Sequence, residues 1–518
     1  MEMSQPSDSI PGTTSRARFD FRQMWLGVDP TFLIVFRVIL AFTIASWAQH
    51  FLSDDRYRSL FIEPRMLFKY PGFHWVQLWP GDGLYWHFRI TQLAALALII
   101  GFLTRLAAAT LSLSMLYILL LERQLYNNHD YLLICCAALL VFLPASCRLS
   151  VDSRLGIERQ RRRIPRWQLW LLRFQLGLPY VYGAIAKLNA DWLAGQPAEI
   201  FLHASAGTSI IGPYLTLPMA KWLMAYGGLV FDALIVPLLM FHKTRAIAIG
   251  LALGFHLTNA VLFNIGVFPW FMLATLYVFF PPELIAGLTR RLLRTTGAIR
   301  LQTDKQIRHR RLSRIGFCIA AIYVIVQLLL PFRHWLMPGD ASWNGRGHRF
   351  AWRMMLRHKE SLTWFKIEND TGFLYAPATL VMTPYQSKIA VRDPEMIQQA
   401  ALKIQQLAWE MGQSDCRVYV LALTSLNGRR PVPIIDPDAD LTKVQRGWLS
   451  NDWVRDEPGP FLDPAWNVPQ ERWWTELTLP ERFAALQGQS LARWQADFER
   501  FAQYQKSVQA ANQNPGNP

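Results

Sequence analysis

Long apolar runs alternate with short polar links as far as Pro331, and beyond that point the pattern changes. Runs long enough, or nearly so, to cross a bilayer lie at about 32 to 52, 88 to 104, 106 to 122, 130 to 145, 167 to 187, 219 to 241, 245 to 263, 265 to 281 and 314 to 331, roughly nine in all. After Pro331 the apolar stretches are short and alternating, at Phe350 to Leu356, Leu362 to Glu368 and Val418 to Leu423, as in strands. Asp393 to Gly412 reads as an amphipathic helix with Asp393 as N-cap, Pro394 at the first position and Gly412 as the stop. Pro480 to Lys506 reads as a last helical stretch before an Asn/Gln/Pro/Gly tail. The expected architecture is a polytopic α-helical membrane domain of about eight or nine transmembrane helices, followed by a smaller extracytoplasmic β-rich α+β domain. Its divisions fall at 1–31, a cytoplasmic N-terminal segment; 32–331, the membrane domain; 332–470, the β-rich domain; and 471–518, the last helix and tail.

Composition agrees: mean hydropathy is +0.13, 52% of residues are hydrophobic, only 17% are charged, and 21 tryptophans supply interfacial anchors. A net charge of +16 would suit a nucleic-acid partner if it were spread over one face. Instead the basic residues gather between apolar runs, at Arg159 to Arg166 and Arg290 to Arg314, so charge marks topology and nucleic acid is excluded as a partner. With the N-terminus cytoplasmic, these clusters share one side, and Lys187 and the β-rich domain share the other. The first thirty positions are polar and lack the apolar core of a removable signal, so the first span is expected to direct insertion. The five cysteines form neither a disulfide framework nor a paired zinc pattern. The aromatic loop at 53–87 suits a lid in the membrane interface or, equally, an aromatic belt.

Chemistry concentrates at the end of the fifth run. No charge occurs from Gln175 to Ala186, and then Lys187 stands at the depth where a span should end. On a helix Lys187 shares a face with Ala184, Gly183 and Tyr180, and the small neighbours would leave a slot for a flat ring beneath the ammonium. A lysine kept from water there is a usable general base; a lysine reaching for the interface is the alternative. Asn127-Asn128-His129-Asp130-Tyr131 opens the fourth run on the same side, where Asn128 either caps a helix or lines a pocket and His129 exchanges a proton near neutrality. His256 and Asn259, three apart, share a face of the seventh run and mark a polar cavity, while Asp232 in the sixth run needs a partner, expected to be an arginine or histidine. Gly-rich phosphate loops, Gly-x-Ser-x-Gly and His-Glu-x-x-His are all missing from the sequence, so phosphate-loop, serine hydrolase and zinc protease chemistry lack their motifs.

Several of these residues fall in stretches that resemble the vitamin K-dependent γ-glutamyl carboxylases and their bacterial relatives. The stretches are Val35-Phe36-Arg37, Asn127-Asn128-His129, Lys187-Leu188-Asn189-Ala190-Asp191-Trp192, Phe255-His256 with Asn259, Phe350-Ala351-Trp352-Arg353-Met354-Met355 and Ile435-Asp436-Pro437-Asp438-Ala439-Asp440-Leu441, in the family's order. The resemblance implies a membrane lyase that couples oxygenation of a reduced vitamin K or menaquinone-type hydroquinone to its epoxide with carboxylation of peptide glutamate, using O2 and CO2 and no metal. It implies that Lys187 deprotonates the hydroquinone, that His129 takes part in catalysis, and that Asn128, His256, Asn259, Tyr180, Asp191, Trp352, His348 and Lys388 line the pocket. The partners implied are a glutamate-containing exported peptide or protein and membrane lipid.

The chain also departs from the animal members. They carry a tyrosine where His348 stands, pair two cysteines without counterparts here, and bind the glutamate carboxylate with an arginine in the region reading Tyr385-Gln386-Ser387-Lys388, where Lys388 or Arg392 is the substitute. Most of their carboxy-terminal portion is missing. Two other readings follow: a quinol epoxidase without carboxylation, and a non-enzymatic quinone- or lipid-binding maturation factor. The short chain and the absence of outer-side disulfides point to a bacterial inner or plasma membrane.

Overall fold

The computed structural model describes residues 21–207, 211–263, 265–292, 311–413, 415–445, 452–461, 465–466 and 468–488. Its helical part comprises α1 (Thr31–Leu52), α2 (Gly83–Ile100), α3 (Thr104–Leu121), α4 (Asn128–Phe142), α5 (Arg166–Lys187), α6 (Pro218–Met240), α7 (Arg245–Leu262), α8 (Phe268–Thr275), α9 (Pro282–Leu292) and α10 (Arg311–Leu329). Every apolar run of the sequence is helical, yet only six of the described helices are long and apolar enough to cross a membrane, or seven if one bent pair is a single span. The expected count of eight or nine falls for three physical reasons. First, α4 is only 15 residues long. Second, α5 carries Arg166, Arg173 and Lys187 among its apolar positions. Third, the eighth run breaks at Pro281-Pro282, so that Phe268–Phe279 meets α9 at 110°. The protein is a membrane protein with a small sheet region in its C-terminal part.

Helix α1 lies deep in the bundle, buried through Phe32, Leu33, Phe36, Leu40, Ala41, Ile44 and Ala48. Its one charge, Arg37, is 1% exposed and donates to the carbonyls of Ala145, Ile99 and Leu149, so the arginine of the resemblance is a tie between helix ends. Gly101 turns beside it with φ +70, and a Cβ there would lie 2.6 Å from the Arg37 Nη1.

Four antiparallel strands, β1 (Lys359–Asn369), β2 (Gly372–Pro377), β3 (Arg417–Leu426) and β4 (Val432–Pro433), form the sheet in the order β2-β1-β3-β4, with Trp364 opposite Leu421. Both faces of β3 are covered: Val418, Val420 and Ala422 face one core and Leu421 and Leu423 the other, the alternation of a strand. On the first face lies α12 (Pro394–Glu410), following the shorter α11 (Pro384–Ala390). Asp393 caps α12 by accepting from the N–H groups of Glu395 and Met396, and Gly412 ends it with φ +84, as the sequence predicts. Trp473, Trp474 and Phe483 cover the second face. Of the expected helix at Pro480 to Lys506, the described part is a 3-10 turn at Glu481–Leu486; the remainder, the N-terminal segment through residue 20 and the tail lie outside the described residues.

Two expectations for connecting segments change. The 53–87 loop is a strap rather than a lid, because Phe68 joins the sheet-domain core while the Lys69 backbone exchanges two hydrogen bonds with the Gln399 amide. Phe350 to Leu356 is no strand: Phe350, Trp352 and Met355 have φ of 58, 54 and 56, which breaks strand pairing and bends the segment into the helical bundle.

Candidate active site

Lys187 closes α5, and its side chain is 7% exposed. Its amine donates to Asp232 Oδ2 of α6 at 2.5 Å. The slot that the sequence assigns to a flat ring is therefore filled by a carboxylate, and the expected arginine or histidine partner of Asp232 is Lys187 itself. Gly183 makes this possible, since a Cβ there would stand 2.8 Å from Asp232 Oδ2. The amine also lies 5.1 Å from the centroid of the Trp192 ring. That ring is fixed by its own neighbours: Trp192 Nε1 donates to the Ala225 carbonyl, and Asn189 Oδ1 accepts from Trp192 N–H to cap the turn Ala190–Leu193.

One wall of the site is aromatic. Tyr180, two turns before Lys187, shares a 2.8 Å hydrogen bond with His256 Nε2 on α7, and Phe231, next to Asp232, stacks on Phe255 at 3.9 Å. Phe268 links the two histidines, 6.2 Å from the His256 ring and 5.9 Å from that of His129. His256 is 1% exposed and its Nδ1 makes no hydrogen bond among the described residues. Asn259, one turn on, is half-buried and its amide makes no hydrogen bond to His256 among the described residues.

The bent 350–356 segment carries the sheet domain into the bundle core. Trp352 is 1% exposed, belongs to the bundle core and lies 5.0 Å from the Tyr131 ring. Its Nε1 makes no hydrogen bond among the described residues. Asn128 donates to the Arg353 carbonyl, and Tyr126 accepts from Phe350 N–H while donating to Asn128 Oδ1, so Asn128 holds this segment and does not cap α4. Four residues beyond Trp352, Leu356 packs with Trp192. Lys187 and Trp352 consequently stand at the same end of the bundle.

Other expected residues have different surroundings. Asp191, placed in the pocket by the resemblance, accepts from Arg429 Nη1 and Nη2 at 2.6 and 2.7 Å and from Asn427 Nδ2 at 2.7 Å. With both oxygens engaged, it clamps the bundle to the sheet domain. His348 is enclosed on the sheet side: burial first, then the charges of Arg357, Arg353 and Arg349, push its imidazole well below its usual range and keep it neutral. Lys388 is exposed on α11, beside Arg392 at a cleft of about 310 Å³ along the start of β1, and the structure does not bring it to Lys187. The Asp436 to Asp440 stretch is engaged in internal bonds, Asp436 with Arg455, Asp438 with Arg482 and Asp440 with Val418 N–H.

Tyr126, Arg429 and Lys359 escape the sequence reading. Lys359 is buried, with its amine on the carbonyls of Trp343 and Arg392, and burial followed by Arg357 lowers its pKa well below the usual range. Only the lysine opening an apolar strand hinted at it. Among the described residues, no group of three His, Cys, Asp or Glu is arranged to hold a metal ion.

Comparison with known families gives two matches. The HTTM domain model matches residues 25–284, and the model of the vitamin K-dependent gamma-carboxylase lumenal domain matches residues 312–458. No solved structure matches the chain.

Proposed function

Because the chain belongs to the vitamin K-dependent gamma-carboxylase family, we propose that it oxygenates a vitamin K or menaquinone-type hydroquinone and carboxylates glutamate in an exported peptide, with Lys187 as the base. The observation that carries this reading is the Lys187–Asp232 pair, withdrawn from water at the end of the bundle where Trp352 enters from the sheet domain.

A hydroquinone is flat, apolar and hydroxylated, and the residues present suit it. Phe231, Phe255 and Phe268 offer ring faces, while His256 Nδ1 and Trp352 Nε1 are buried polar atoms without a partner. When bound, the hydroquinone supplies the chemistry of the family: reaction with O2 provides the strong base that removes a glutamate γ-proton, after which CO2 is taken up. Lys187 accepts the hydroxyl proton in the first step, and Asp232, 2.5 Å away, orients the amine and balances the ammonium that results. Tyr180 holds the His256 ring in place through its hydroxyl, making it a positioning residue. Asn128 and Tyr126 hold the 350–353 segment so that Trp352 closes the apolar wall against water. His129 lies half-buried against Phe268, at the position for passing a proton to the outside.

The test uses purified protein in detergent with reduced vitamin K and O2, read as epoxide by chromatography, and then with labelled bicarbonate and glutamate-containing peptides. Epoxide together with incorporated label supports the full reaction. Epoxide alone selects the epoxidase reading, and neither product selects the non-enzymatic one. If Lys187→Ala retains full epoxide formation, the base is misassigned.

A further inference from the structure

At the start of α5, roughly 30 Å along the helix from Lys187, two cavities adjoin. One, of about 320 Å³, lies among the start of α5, the end of α6, the start of α7 and the proline bend, and is lined by Arg166, Arg173 and Arg245. The other, of about 410 Å³, runs between α5 and α10, with walls that include Trp167, Leu171, Phe174, Phe317, Val324 and Ile325 and no polar side chain. Met24 and Trp170 line both, so the cationic chamber opens onto the apolar groove.

The three arginines line one chamber, which they share with Glu283. Arg173 donates to the carbonyls of Val278 and Phe280, and Arg245 to those of Leu239 and Met240, the free carbonyls at helix ends. Carbonyls orient a guanidinium but leave its charge intact, and each of these two keeps three of its five N–H donors. The charges of Arg245 and Arg166 act on Arg173. Glu283 shares the rim, yet none of the three arginines forms an ion pair with a carboxylate among the described residues. Like charges gathered at the edge of a membrane protein call for an anion. An anion alone leaves the groove unexplained, whereas a lipid supplies both parts.

We propose that the two cavities together bind one anionic glycerophospholipid, with its phosphate among Arg166, Arg173 and Arg245 and an acyl chain in the groove between α5 and α10. The site is independent of the Lys187 chemistry: it lies at the other end of the helix, and the groove residues 167, 170, 171 and 174 fall on a different face of α5 from 180, 183, 184 and 187. The geometry also distinguishes this lipid from the hydroquinone, which carries no anionic group for three arginines.

The experiment exposes the full chain in detergent to equal amounts of phosphatidylglycerol and phosphatidylcholine and counts retained lipid by native mass spectrometry. One phosphatidylglycerol per chain, retained over phosphatidylcholine, is expected. Arg166→Gln, which removes a side chain making no hydrogen bond among the described residues, is expected to lower that retention about fivefold, and Arg166→Lys to keep most of it. Ala321→Trp, which fills the groove, is expected to lower retention while leaving the delipidated protein's melting temperature unchanged. Equal retention of the two lipids, or no effect of Arg166→Gln, overturns the proposal. Displacement of phosphatidylglycerol by millimolar inorganic phosphate, with Ala321→Trp inert, identifies a free-phosphate site and overturns the lipid assignment.

Discussion

Lys187 meets Asp232 inside the helical bundle, while Arg123 meets Asp393 where the bundle touches the sheet domain, and both pairs are almost completely buried. Their surroundings differ. Asp393 accepts from Arg123, from Arg349 at 3.0 Å and from two backbone N–H groups of α12, and Arg123 reaches Glu395 as well, so the network is saturated at its carboxylate, with Arg123 Nε left without a partner among the described residues. Lys187 has, among the described residues, a single carboxylate oxygen and the face of Trp192, beside aromatic rings. A saturated network resists any change of proton or partner and so fixes geometry. A sparse pair next to unpartnered polar atoms can exchange a proton with whatever docks there.

The strongest test of this contrast separates activity from stability at the sparse pair. Lys187→Ala is expected to reduce epoxide formation about a thousandfold. The double variant Lys187→Met/Asp232→Leu, which replaces both charges with apolar groups, should remain inactive while unfolding within about 1 kcal/mol of wild type. Recovery of turnover in the double variant would show that the pair only holds helices together.

The saturated network predicts the reverse. Asp393→Asn leaves Arg123 and Arg349 buried without their shared carboxylate and should cost about 3 to 5 kcal/mol in denaturant unfolding, with turnover per folded molecule kept. Next in size is Gly183→Ala, whose Cβ would press on Asp232 Oδ2 from 2.8 Å. A loss of about 1 to 3 kcal/mol from overpacking is expected, with a fall in kcat rather than a rise in KM, since the pair is pushed apart without blocking docking. A wild-type kcat here would remove Asp232 from the mechanism.

The smallest effect is a pH dependence. Burial alone would raise the Asp393 carboxyl, but the charges of Arg123 and Arg349 outweigh it and hold it well below its usual range. Its folded pKa is depressed, so its contribution is present above about pH 4 and is lost as the pH falls below that. Nearby, burial pushes the Glu122 carboxyl up to about 8 despite the N–H groups of Gln124 and Phe68. Its folded pKa is raised, so stability is complete below about pH 4 and declines as the pH rises towards 8. Glu122→Gln is accordingly expected to raise the melting temperature at pH 8, by roughly 1 kcal/mol equivalent, and to leave it unchanged at pH 4. An unchanged alkaline limb would mean that Glu122 is ionised in the folded protein.

Legibility in the sequence followed the range of each interaction. Helices α1 to α8 and α10, the Asp393 cap and the Gly412 stop were readable because periodicity, caps and left-handed glycines act within a few residues, whereas α9 falls in a stretch read as a polar link. Lys187 and Asp232 each stood out as a charge in an apolar run, yet their pairing was not readable, since nothing local relates positions 45 apart in the chain. Asp191 shows the same limit: a carboxylate within a motif read as a pocket residue until Arg429 and Asn427 took up both its oxygens. The 350–356 segment read as a strand because it alternates in sequence, although three residues with positive φ send Trp352 into the bundle instead.

By itself, then, the order of residues determined that this protein lies in a membrane, where most of its bundle helices lie, and which stretches resemble a carboxylase, because burial periodicity and capping are local. The tertiary structure alone decided which charges meet, which become saturated and which stay available for chemistry. Those outcomes depend on the fit of Gly183 around Asp232 and of Trp192 against Lys187, contacts that exist only once separate helices have packed.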